Sequence, residues 1–283
     1  QKSAPLLLNP SFSMHKYAWL MEFLGNIKHY KANTQETVRL ALLARKRLFE
    51  IADKEAIEFN LEKRGILHFY HTKADYETAI RVNDMLCEGG LERHAVSNEE
   101  IKSIEPSLKD EYYGGFYCPD DATGDIHKFT TSLAAVTQKN GVEYLFGQEV
   151  TSIQHHEKGV TIQFKASDEN MDVEAGTIGS VQADAVVVCG GVGSYQLADM
   201  LGDRVNVYPV KGYSITVELR DENSRQQAPW VSLLDESAKI VTSRLGADRL
   251  RVAGTAEFNG YNRDIRSDRI QPLIDWVNRN FDL

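Results

Sequence analysis

Apolar residues recur at helical spacing through residues 34–59, at Val38, Ala41, Leu42, Ala44, Leu48, Phe49 and Ile51, with charged residues between them. That period predicts a helix, and Asn33 or Thr34 supplies an N-cap. Residues 65–70 read as a strand, and residues 75–86 as a second helix closed by Gly89-Gly90. Ser97 and Glu100 stand at capping-box spacing and open a short helix that Pro106 ends. From Gly114 the style changes. A helix over 128–139 stops at Asn140-Gly141, a strand follows at 142–146, and 150–153 with 160–164 form a hairpin. Residues 185–189 are continuously apolar, the pattern of a strand covered on both faces of a parallel sheet. Alternating strands return over 207–219, 238–243 and 250–255, and a helix over 270–281 finishes the chain.

Strands alternating with helices thus give way to antiparallel strands and then revert. This predicts an α/β (α+β mixed) chain of two interleaved domains, each built from separate segments. At 283 residues and 42% hydrophobic content, a sizeable core is affordable to either one large domain or two modest ones. The net charge of -9 argues against nucleic acid, which requires a concentrated basic surface. Arg45-Lys46-Arg47 sits inside the first helical pattern and reads as a solvated helix face.

No apolar run approaches the roughly 20 residues that span a bilayer. Gln1 in place of an initiator Met, and an end at Leu283 directly after a helix-like run, both read as cut edges. The three cysteines, Cys87, Cys118 and Cys189, are widely spaced and argue for a reducing compartment, with Cys189 expected to be packed. The expected location is cytoplasmic, with peripheral attachment to the inner membrane left open. His68 and His71 alternate through a strand-like stretch and His155-His156 lies at a turn, without the Cys or carboxylate partners of a metal site.

The most informative segment is Ala185-Val186-Val187-Val188-Cys189-Gly190-Gly191-Val192-Gly193-Ser194, a strand ending in glycines before a helical run. Glycine permits close backbone approach to a cofactor, yet this is no dinucleotide fingerprint, because the spacing from Gly191 would require glycine at Gln196. The segment resembles the late strand and turn of the D-amino-acid-oxidase-like flavoprotein family. Other stretches are similar to the same family in the same order: Tyr113-Gly114-Gly115-Phe116 with Pro119–Asp125 to follow, then Asn140-Gly141-Val142. Val207-Tyr208-Pro209-Val210-Lys211-Gly212-Tyr213-Ser214 resembles bacterial D-amino-acid dehydrogenases, as do Leu234-Asp235-Glu236, Thr242-Ser243-Arg244 and the run from Arg249 to Glu257. The family's opening Gly-x-Gly-x-x-Gly turn and its C-terminal glycine-x-arginine-proline stretch have no counterpart in this chain.

The resemblance implies an incomplete FAD-binding α/β domain over 34–60 and 112–205. Residues 1–33, 61–111 and 206–283 would form an antiparallel-sheet substrate domain with connecting helices. It implies FAD-dependent oxidative deamination of D-amino acids to 2-oxo acids and ammonia, with electrons passed to a quinone or carrier. FAD belongs to the complete protein and is expected to bind this chain weakly or not at all. Glu149, Val150, Gly190 and Gly191 are the candidate cofactor contacts, against ordinary strand-start and strand–helix-turn roles. Tyr208, Lys211, Tyr213 and Arg244 are the candidate substrate residues, with Tyr213 expected to face the cavity. The competing reading makes the first three an exposed aromatic edge and Arg244 a solvated turn residue. His127, at the family's helix-capping position, is expected to be structural. Two alternatives stay open: a related oxidase of glycine- or sarcosine-type amines, and a non-catalytic folded fragment that binds no flavin.

Overall fold

The computed structural model describes residues 4–167 and 176–283. In chain order its elements are β1 (Leu6–Leu8), α1 (Met14–Asn26), α2 (Tyr30–Lys54), β2 (Ile66–Tyr70), α3 (Lys73–Glu88), β3 (His94–Val96), α4 (Asn98–Ile104), β4 (Gly114–Cys118) and α5 (Ile126–Lys139). There follow β5 (Gln148–His156), β6 (Gly159–Ala166), β7 (Ile178–Ala183), α6 (Ser194–Met200), β8 (Lys211–Glu218), α7 (Glu222–Gln227), β9 (Ser232–Asp235), β10 (Ile240–Arg244), β11 (Arg249–Phe258) and α8 (Ser267–Asn280). The chain divides into two compact units. One comprises residues 1–10, 25–136 and 210–283, the other residues 11–24 and 137–209. Helix α2 lies wholly, and α5 largely, with the sheet of the first unit.

The first unit is built on an eight-stranded sheet in the order β1-β11-β10-β9-β2-β4-β3, with β8 paired to β11. The strands expected at 65–70, 207–219, 238–243 and 250–255 all join it. Alternation dictates which face is covered. Along β10, Ile240, Thr242 and Arg244 are buried while Val241 and Ser243 between them are half-buried. Leu273, Trp276 and Val277 of α8 share a core with Leu67, Phe69, Leu233, Leu250 and Val252 of the strands. Each fully buried leucine in that layer contributes roughly 1.5–3 kcal/mol relative to exposure. Tyr70, Ala79 and Phe116 form a separate cluster with the half-buried Tyr76.

One expected cap holds and one does not: α2 begins at Tyr30 with His29 at its N-cap, so Asn33 and Thr34 lie inside the helix rather than at its start. Ser97 and Glu100 form the reciprocal capping box of α4. His127 is not the cap of α5: Asp125 Oδ1 accepts from the backbone N–H groups of His127 and Lys128. A carboxylate two residues upstream fits the unsatisfied N–H groups better than an imidazole inside the first turn.

In the second unit β5, β6 and β7 form an antiparallel sheet, with the expected hairpin at its first turn. Two expected strands are absent. Residues 142–146 and 185–189 lack ladder partners among the described residues, and a lone extended segment leaves its N–H and C=O groups to water. Val187 is 84% exposed and Cys189 is exposed rather than packed. The helix α1, the strand β4 and the strand β9 went unassigned from pattern alone, being short or lacking a clean period.

Candidate functional site

Three of the candidate substrate residues lie in the sheet-bearing unit. Lys211 opens β8 and Glu257 faces it on β11, where the register pairs the two residues. Lys211 Nζ lies 2.5 Å from Glu257 Oε1 and donates to Asn262 Oδ1 and the Asp264 carbonyl. The Tyr213 hydroxyl donates to the same Glu257 oxygen at 2.9 Å. Glu257 is 1% exposed. Burial alone would raise its carboxyl, but the hydrogen bonds from Lys211 and Tyr213 outweigh that and hold it below the usual range. Burial would likewise lower Lys211, and the bonds to Glu257 and Tyr213 raise it instead. Both groups therefore stay charged.

The Tyr213 ring is part of the main core beside Ile215 and Val217. The reason is the period-two alternation, which puts Tyr213 on the face that α8 covers. Arg244 is neither solvated nor free for a bidentate carboxylate. It is 1% exposed, and its donors reach the carbonyls of Gly246, Ala228, Arg225 and Ala247. Its guanidinium lies over the Trp230 ring, 4.2 Å from the centroid.

The remaining candidates lie in the second unit. Tyr208 packs against His15 and Trp19. Glu149 is an exposed residue of β5 paired with Lys165 at 3.0 Å, and Val150 follows it on the strand edge. Gly190 packs tightly, since an added Cβ would lie 2.9 Å from Leu197 Cδ1. Gly191 has φ +55, and an added Cβ there would meet nothing within 4 Å. That open, left-handed backbone suits approach by a planar group. Glu149 and Val150 thus lie on β5, and Gly190 and Gly191 at the turn before α6, in the same unit. The Gly190–Gly193 turn leads into α6, a helix of 7 residues.

Composition and spacing left a further group unassigned. His68 Nδ1 lies 2.9 Å from Glu236 Oε1, and Lys239 Nζ donates to Glu236 Oε2 at 2.7 Å. The hydrogen bond from His68 is the main cause holding the Glu236 carboxyl down at about 2. Burial is the main cause lowering His68, which leaves the imidazole neutral near pH 7. An ionised carboxylate only accepts, so Nδ1 carries the proton. Burial pushes the Tyr70 hydroxyl up to about 12, with the Glu236 charge adding and Arg93 opposing. Next along β9, Asp235 accepts from Trp276 Nε1 at 2.9 Å and pairs with His71 at 3.2 Å, which ties α8 to the sheet. The alternation of His68 with Tyr70 was the available sequence signal. It indicated a shared face, while the partner on β9 came from topology.

The chain belongs to a known class. Residues 13–282 match the family model for FAD dependent oxidoreductases, DAO, and the chain belongs to that family. It is 52% identical to "D-amino acid dehydrogenase 3" of Mesorhizobium japonicum over 99% of this chain and 66% of that protein. It is 36% identical to "D-amino acid dehydrogenase" of Paramagnetospirillum magneticum over 99% of this chain and 64% of that protein. The chain therefore spans about two thirds of the length of these relatives. In fold it is similar to glycine oxidase from Geobacillus kaustophilus, with a TM-score of 0.69 at 18% identity over 87% of this chain and 61% of that one. L-proline dehydrogenase from P. horikoshii aligns with a TM-score of 0.66 at 15% identity over 83% of this chain and 61% of that one.

Proposed function

We propose that this chain forms part of an FAD-dependent dehydrogenase that oxidises D-amino acids to 2-oxo acids and ammonia. The supporting observation is the 52% identity over 99% of the chain to a relative named as a D-amino acid dehydrogenase, within an FAD-dependent family. Bound FAD supplies the acceptor for the two electrons and the hydrogen leaving Cα. The amino acid becomes an imino acid, and water converts this to the 2-oxo acid with release of ammonia. The chain's part is to position Cα and to hold the charged ends of the substrate. Glu149, Val150, Gly190 and Gly191 would contact the cofactor.

Electrons would pass on to a quinone or soluble carrier. No helix among the described residues is long and apolar enough to cross a membrane. The glycine oxidase likeness shares only the fold, and carries the alternative of a glycine- or sarcosine-type amine as a relative's chemistry. The test is anaerobic flavin bleaching by a protein of the relatives' full length that contains this sequence. D-alanine should bleach it, while L-alanine, glycine and sarcosine should not. Bleaching by sarcosine alone would transfer the assignment to the amine oxidases.

A further inference from the structure

A cavity of about 360 Å³ opens in the sheet-bearing unit between α3 and the β9–β10 turn. Its polar lining includes Tyr70, Asp75, Thr78, Arg93, Glu236 and Lys239. The volume falls in the ~300–1,000 Å³ range of small-molecule sites.

Arg93 is the residue that needs explaining. It is 8% exposed, its Nη2 has no hydrogen-bond partner, and among the described residues no carboxylate pairs with it. Its guanidinium lies 5.0 Å from the centroid of the Phe116 ring, which covers one of its faces. Buried charges are ordinarily paired, because desolvating one costs several kcal/mol. Glu236 does not serve as that partner, being held by His68 and Lys239. The Arg93 side chain hydrogen-bonds the Tyr70 hydroxyl, and its unpartnered Nη2 is suited to a carboxylate oxygen.

The rest of the lining restricts which carboxylate. Asp75 and Glu236 balance Arg93 and Lys239, so the polar wall is neutral overall. A phosphate dianion would leave two uncompensated negative charges, and a simple carboxylate one. A zwitterion leaves none: its carboxylate meets Arg93 while its ammonium meets the acidic side at Glu236 and Asp75. We infer that this cavity, through Arg93 and Glu236, binds a small amino acid as its zwitterion. The choice of the D configuration rests on the proposed function; the cavity assignment does not.

The test is calorimetric titration of the 283-residue chain with D-alanine, L-alanine, pyruvate and inorganic phosphate. D-alanine should bind saturably at one site, pyruvate at least tenfold more weakly, and phosphate not measurably. Arg93→Gln should weaken D-alanine at least tenfold, with Arg93→Lys between the two. Glu236→Gln should weaken D-alanine and leave pyruvate unchanged or tighter, a selective effect that a purely structural role would not give. Circular dichroism reports whether each variant is folded; if Arg93→Gln is not, Glu236→Gln decides. Absence of D-alanine binding to the folded chain, equal binding by a folded Arg93→Gln, or phosphate binding as tight as D-alanine overturns the inference. Equal binding of both alanine enantiomers supports the cavity and counts against the D-selective function, so the two readings fail separately.

Discussion

At the scale of single residues, Arg244 shows how one side chain replaces several backbone partners. Four of its five N–H donors end on carbonyls of the 225–228 and 246–247 turns. Lysine in its place offers a point charge instead of a rigid fork, leaving buried carbonyls unsatisfied. Arg244→Lys should cost about 2–4 kcal/mol in urea unfolding, while a loss below 0.5 kcal/mol would refute the anchoring role. Glu236 gives a pH prediction. Its folded pKa of about 2 lies below the ordinary glutamate value of 4.5, so the stability it contributes is complete above the unfolded value. That stability drains as pH falls from about 4.5 towards 2. Discounted for partial solvent screening, this amounts to about 1–2 kcal/mol, and Glu236→Gln should flatten the acid limb of the stability profile in that window. The residue types of Tyr213 and Arg244 were legible as candidates for carboxylate recognition; their burial was less so. The register of Tyr213 with Ile215 and Val217 was in the sequence, but which face of β8 a helix covers depends on α8, more than 50 residues on. Arg93 carried no local signal, since a buried cation without a carboxylate partner is visible only once its neighbours are placed.

Among elements, the small sheet of β5, β6 and β7 depends on the turn at Gly159. That residue has φ +130, and an added Cβ would stand 2.2 Å from the Ala183 carbonyl oxygen. An L side chain thus meets both backbone strain and a clash with the neighbouring strand. Gly159→Ala should cost at least about 2 kcal/mol and selectively speed amide exchange in β6 and β7. Unchanged exchange there would show that the turn adapts. The hairpin itself was readable because alternation and a glycine turn are local. So were the four strands of the large sheet, whose half-buried periodicity survives any ordering. Their order was not readable: β2 lies beside β9 through a parallel pairing across some 160 residues, as the register of His68 with Leu234 shows. The runs 142–146 and 185–189 failed for the opposite reason. Their composition suits strands, but a strand exists only when a neighbour completes its ladder, and the described residues supply none.

For the molecule as a whole, the family could be read from motifs in order along the chain, and the match over residues 13–282 agrees with that reading. How firmly this chain holds the family's cofactor is a separate matter, decided by which contacts it contains. The strongest anchors for a dinucleotide are backbone N–H groups at a helix N-terminus that meet the pyrophosphate. The open turn here leads through Gly193 only to α6, a helix of 7 residues, and Gly190 is occupied in packing against Leu197. In the proposed reading Glu149, Val150 and Gly191 would meet adenine and ribose, which supply fewer charged hydrogen bonds. Each missing charge-assisted bond to phosphate forgoes roughly 1.5–3 kcal/mol, so two or three reduce affinity by several orders of magnitude. FAD titrated into the 283-residue chain should therefore bind with a Kd weaker than about 10 μM, and the purified chain should be nearly colourless. Flavin fluorescence quenching measures the first outcome and visible absorbance the second. AMP should compete with FAD about as well as ADP does, because the second phosphate gains little here. A yellow preparation with stoichiometric flavin, or competition by ADP far stronger than by AMP, would mean that these residues form a phosphate cradle of another design.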